Sequence, residues 1–168
     1  MTVALGWLPD GDAGTVATLK RMAKLARRAQ ADPLTVETAH RIVSGCTPRD
    51  ADCYAAAIRR WLTASFVFVP DALDVETVRE PHYLLEQLFG WGAGRMSGDC
   101  DDAATLGAAL GKAIGLDARF HVLGFASMGD AYGHVFAELQ TGAGWFGLDV
   151  TKPRGPVEPA SRELFFPV

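Results

Sequence analysis

Hydrophobic positions recur with two different periods along the chain, helical spacing and strict alternation. From Thr15 to Gln30, Val16, Leu19, Met22, Ala23 and Ala26 stand at helical spacing and predict one apolar face. Lys20, Lys24, Arg27 and Arg28 fall largely on the other side, as a solvated helix face does. Asp32-Pro33 ends this helix, and residues 34–44 predict a shorter second one. Thr47-Pro48-Arg49-Asp50 reads as a helix start: a threonine cap, a proline in the first turn and an acid three residues after the cap. The helix it opens runs to about Thr63 and buries Tyr54, Ala57, Ile58, Trp61 and Leu62. Residues 65–69 are strand-like and stop at Pro70-Asp71, residues 74–80 are helical or irregular, and Pro81 opens a helix through Phe89.

From Cys100 to Ile114 the pattern changes to small residues, with Ala103, Ala104, Gly107, Ala108 and Gly111. Glycines weaken a helix. Gly107 and Gly111, four apart on one face, therefore predict another element in close approach, and Gly115 a left-handed cap. Strict alternation follows. Residues 118–125 place Phe120, Val122 and Gly124 on one side. Residues 132–139 put His134, Phe136 and Glu138 opposite Val135, Ala137 and Leu139. After the hairpin loop 141–144, residues 145–150 return with Trp145, Gly147 and Asp149 on one face. Residues 1–14 and the Pro-rich 153–159 predict irregular structure. The apolar tail Leu164-Phe165-Phe166 either packs back on the domain or inserts into a partner.

The length of 168 residues suits one domain with a sizeable core. A net charge of −4 argues against a general nucleic-acid binder. No apolar run approaches the roughly 18 residues that span a bilayer, and the first residues lack the basic start and apolar run of a secretory signal. Cys46, Cys53 and Cys100 form an odd set with no CxxC pair, which suggests neither a disulfide framework nor a zinc site. Cys46 and Cys53 are assigned to structure, and the expectation is a reduced protein made in the cytoplasm. No cofactor is expected. Gly90 to Gly94 is glycine-rich but lacks the preceding strand and the Lys-Ser/Thr ending of a phosphate-binding loop.

The chemistry gathers at Ser97-Gly98-Asp99-Cys100-Asp101-Asp102. Asp99 is a helix cap, Asp102 belongs to the first turn, and the helix N-terminus favours a thiolate at Cys100. The flanking aspartates oppose it, so a reactive Cys100 needs a cationic partner. His134 and Asp149, on adjacent antiparallel strands, can pair on one face and supply it. A thiol, an imidazole and an orienting carboxylate are the parts of a thiol acyl-transfer triad. His121 reads as packing or solvent-facing, and Arg119 as a partner for one of the aspartates.

These residues resemble the transglutaminase-like superfamily. The resemblance rests on Gly98 to Asp102, Leu106 to Ala109, Ala113 to Arg119, Gly133-His134-Val135-Phe136-Ala137-Glu138, Gly144-Trp145 and Leu148-Asp149-Val150-Thr151. It covers about residues 61–153. It implies an α+β, papain-like core, in which a central helix carrying Cys100 packs on an antiparallel sheet behind extra N-terminal helices. The division is then an N-terminal helical extension over 1–60, a core over 61–155 and a tail over 156–168. It implies Cys100 as nucleophile, His134 as base and Asp149 as orienter, acting on a protein or peptide amide through a thioester, without metal or cofactor. The oxyanion donors would be the Cys100 amide and a second group, for which Trp91 is the candidate; Gln87 lies further upstream. Val135 stands where many relatives have an aromatic residue after the histidine. The Gly-Asp-Cys-Asp-Asp form, with Pro70-Asp71 and Val78 to Pro81, resembles a bacterial and phage-encoded group. That implies an alternative: a virion assembly or adaptor protein that keeps the fold and docks structural proteins through its N-terminal helices and tail.

Overall fold

The computed structural model describes residues 11–71, 77–90, 94–151 and 158–168. The first helix, α1 (Asp12–Ala29), buries Leu19, Met22, Ala23 and Ala26 and leaves Lys20, Lys24, Arg27 and Arg28 exposed, as the periodicity predicts. It begins earlier than the irregular start expected through residue 14. In α2 (Pro33–Ile42) the Asp32 cap accepts from the Thr35 amide at 3.0 Å, and Pro33 fills a first-turn position whose N–H would have no partner.

The third helix departs from its sequence signal. It is α3 (Ala51–Ser65), capped by Asp50 rather than Thr47. Arg49 takes a left-handed conformation, φ 66°, which a helix cannot contain. That reversal folds the α2–α3 connection back on itself. It brings the Cα atoms of Cys46 and Cys53 to 5.8 Å, and the two are joined in a disulfide. The expectation of unpaired structural thiols is therefore corrected. The physical reason is the turn at Arg49, which no CxxC spacing announces. With it goes the cysteine argument for a reducing compartment, since disulfides persist where conditions are oxidising.

A short strand β1 (Phe66–Phe68) pairs in parallel with β2 (Met96–Gly98), and α4 (Pro81–Phe89) lies between them in sequence. The chain leaves β2 directly into α5 (Cys100–Ala113), which is buried along nearly its whole length. Four strands follow: β3 (Ala118–Phe125), β4 (Ala131–Thr141), β5 (Gly144–Gly147) and β6 (Arg162–Pro167). They form an antiparallel sheet in the order β5-β4-β3-β6. On β3 the alternation is strict, with Ala118, Phe120, Val122 and Gly124 buried.

The sheet's inner face packs on α5 at the expected glycines. A Cβ built at Gly111 would collide with the Leu139 side chain, and one at Gly107 would meet Leu148 at 3.0 Å. Leu139 is fully buried in a core shared by α1, α3, α5 and the sheet, so it has nowhere to retreat. Gly115 caps the helix at φ 85°. The predicted last strand is shorter than expected: β5 ends at Gly147, the Leu148 amide still bonds to β4, and residues 149–150 lie beyond the pairing. The C-terminal tail takes the first of its two alternatives. It returns as β6 beside β3, with Leu164 and Phe166 against the core and Phe165 turned outward. Among the described residues no helix is long and apolar enough to cross a membrane.

Candidate active site

The first turn of α5 is built by carboxylates. The Asp99 side chain accepts from the Asp101 amide at 3.2 Å and the Asp102 amide at 3.4 Å. Asp102 in return accepts from the Asp99 amide at 3.3 Å, which completes a capping box with aspartate in the place usual for glutamate or glutamine. The shorter side chain reaches because Gly98 makes room: a Cβ there would overlap the Asp102 carboxylate. Cys100, between cap and box, is held as the first helical residue.

Asp102 is fully buried, and its counter-charge comes from a place the sequence did not indicate. The Arg79 amide donates to Asp102 Oδ1 at 2.7 Å, and the Arg79 guanidinium donates to Oδ2. The guanidinium also faces Asp71 at 3.6 Å, and Asp71 in turn holds the amide and hydroxyl of Thr77. Burial pushes the Asp102 carboxyl up, and Arg79 works against that rise. Burial likewise opposes the Arg79 charge, and Asp102, Asp71 and Asp99 more than offset it.

On the sheet, a bulge precedes His134. Leu123 faces His134 and Gly124 faces Tyr132, so Gly133 is the extra residue on β4. Bulges bend a strand and re-aim the next side chain. Because β5 pairs only with residues 138–141, the first half of β4 has an unpaired side. The departing chain crosses this gap: the Leu148 amide donates to the Ala137 carbonyl at 2.8 Å, and the next residue brings its carboxylate to the histidine. His134 Nε2 lies 3.1 Å from Asp149 Oδ1, with only 15% and 7% of the two side chains exposed. In the neutral imidazole, a carboxylate at this distance puts the proton on Nε2 and leaves Nδ1 as the acceptor nitrogen.

Backbone groups two residues apart on a strand point the same way. The Val135 amide therefore opens on the same side as the Ala137 carbonyl, and it donates toward the Cys100 sulfur. The thiol is thus seated against the residue that follows His134. Burial above all, then the charges of Asp101 and Asp99, push the Cys100 thiol far up, and the Val135 amide pulls the other way. The thiol itself points to Asp101 Oδ1 at 3.6 Å. As it stands, Cys100 carries its proton.

The structure thus pairs His134 with Asp149 and seats Cys100 against the backbone of Val135, the residue that follows His134. Trp91 lies outside the described residues. Gln87, set aside for its distance in sequence, accepts from the Ser97 amide at 3.1 Å, three residues before Cys100. Arg119 does not meet an aspartate; it donates to Glu138 at 2.6 Å and stacks between Trp145 and Phe165, because strand pairing sets Arg119 opposite Glu138. His121 is in packing, as expected, between Phe136 and Phe165, with its nitrogens on Glu138 and Glu163. Among the described residues, no group of three His, Cys, Asp or Glu side chains is placed to hold a metal ion.

A central helix opening on cysteine, packed on an antiparallel sheet that carries a histidine, defines a papain-like α+β core. The chain belongs to the transglutaminase-like superfamily, whose model matches residues 36–150, upstream of the expected start at 61 and so including α3 and part of α2. Two solved structures share the fold. One is a candidate cysteine protease from Cytophaga hutchinsonii, at 18% identity and TM-score 0.53 over 85% of this chain and 44% of that one. The other is a candidate protease from Parabacteroides distasonis, at 13% identity and TM-score 0.57 over 79% of this chain and 26% of that one. The chain therefore spans less than half the length of either. No curated protein matches it.

Proposed function

We propose that the chain is a thiol-dependent enzyme that cleaves or transfers amide acyl groups, with Cys100 as nucleophile, His134 as base and Asp149 as its orienter. The observation that carries this reading is the His134–Asp149 bond at 3.1 Å beside a cysteine at a helix N-terminus. Membership of the transglutaminase-like superfamily supports it.

The protonated resting thiol sets the order of events. His134 Nδ1 takes the Cys100 proton as Sγ attacks the carbonyl carbon of a glutamine side chain or a peptide bond. Asp149 stabilises the imidazolium that forms. The oxygen turns anionic near the Cys100 amide, a donor in the first turn of α5. His134 then returns the proton to the departing nitrogen, giving a thioester and a free amine. Water resolves the thioester to the acid, or an amine resolves it to a new amide. In either case His134 takes the proton from the incoming group and returns it to sulfur.

Alkylation by iodoacetamide near neutral pH tests the reading, with modification mapped by mass spectrometry. Cys100 is expected to react about tenfold faster in the wild type than in folded His134→Ala. Equal rates would remove His134 as the base.

A further inference from the structure

We infer that Arg79 is a positioning residue for Cys100: it grips the buried Asp102 carboxylate from the side of α5 turned away from β4, and so fixes the turn that presents the thiol. Residues i and i+2 of a helix project in nearly opposite directions. Cys100 and Asp102 stand in that relation. Cys100 meets the Val135 amide on β4, and Asp102 meets the amide and guanidinium of Arg79. The first turn of α5 is pinned from both sides.

The grip is also electrostatic. Asp99, Asp101 and Asp102 crowd one helical turn, with Asp71 behind them. Across the turn, β4 contributes His134, and the segment after β5 contributes Asp149. On the Asp102 side Arg79 meets these carboxylates with its guanidinium. Without it, Asp102 would be a buried charge with no counter-charge, and such a charge relaxes by taking a proton or dragging the backbone toward water. Either change disturbs the capping box, because Asp102 Oδ2 also receives the Asp99 amide. Arginine suits the task better than lysine because a planar fork can fill two directions at once, here Asp102 and Asp71.

The inference rests on the Cys100–His134 reading, and one experiment separates the two. The rate of Cys100 alkylation by iodoacetamide is followed from mild acid to alkaline pH in wild type, Arg79→Gln, Arg79→Lys and His134→Ala, with folding checked by circular dichroism. Arg79→Gln is expected to slow alkylation at slightly alkaline pH about tenfold, the effect of roughly one unit in thiol pKa, and to move the profile to higher pH. Arg79→Lys is expected to recover part of this, leaving a loss of roughly two- to fivefold. A part that only stabilises the fold would lower the melting temperature and leave the profile of the folded protein in place. The inference is overturned if either folded variant superimposes on the wild type, or if neither folds, which makes the pair a folding determinant alone. A normal profile in His134→Ala would sink the catalytic reading, whatever the Arg79 variants do.

Discussion

Asp149 reaches His134 from outside the sheet: the carboxylate lies 3.1 Å from Nε2 because β5 stops at Gly147 and lets the chain cross the open side of β4. The same early stop uncovers the Val135 amide for Cys100. One shortened strand thereby serves both contacts.

Asp149→Asn keeps the shape of the side chain and removes the charge that stabilises an imidazolium. The fold is expected to persist, with an acylation rate at Cys100 reduced roughly 10²- to 10⁴-fold. Stopped-flow acylation with an activated ester would check it, and a loss under twofold would show that Asp149 only packs.

The thiol of Cys100 is pushed up by burial first and by Asp101 and Asp99 next. A carboxylate disfavours the thiolate, so removing its charge lowers the thiol pKa and raises the thiolate fraction at every pH below it. Asp101→Asn is therefore expected to move the alkylation profile of Cys100 to lower pH, with a rate near neutrality roughly three- to tenfold higher. A shift to higher pH would contradict this sign.

With Cys46 and Cys53 joined, Cys100 is the one free cysteine. Unfolding without reductant is expected to expose one titratable thiol, and unfolding with reductant followed by its removal three. Closing so short a loop is worth about 2–3 kcal/mol in the chain-entropy account, so the paired change Cys46→Ser with Cys53→Ser lowers stability by about that much in urea unfolding. It leaves the alkylation of Cys100 unchanged, because the disulfide sits at the N-terminal end of α3, outside the first turn of α5.

Gly111→Val drives two methyl groups into the buried Leu139 side chain. Overpacking of this kind costs about 1–3 kcal/mol, and valine recovers little helix propensity over glycine. A lowered melting temperature follows. An unchanged one would mean that α5 and β4 can move apart freely.

Much of this fold could be read from local pattern. The alternation of residues 118–125 became β3 with both ends as expected, because one face meets the core and the other does not. Gly107 and Gly111 announced close packing because glycine in a helix needs a reason. The Asp99 cap was legible for the same kind of reason: its partners are two and three residues away. Arg79 was not legible, since its partner is 23 residues downstream and nothing periodic connects them. The Thr47 start failed because Arg49 turns left-handed and hands the cap to Asp50. The disulfide was hidden by that same turn. The partner of Arg119 depended on strand register, which sets Glu138 across from it.

The central claim is that Cys100 forms a thioester with the help of His134. Its most direct test is rapid quenching of the protein with an activated acyl ester at neutral pH, followed by intact-mass and peptide mass spectrometry. The account predicts one acyl group on Cys100, formed in a burst, absent in Cys100→Ala and slowed at least about 100-fold in folded His134→Ala. Acyl groups spread over lysines, or acylation of Cys100 at the same rate without His134, would contradict it.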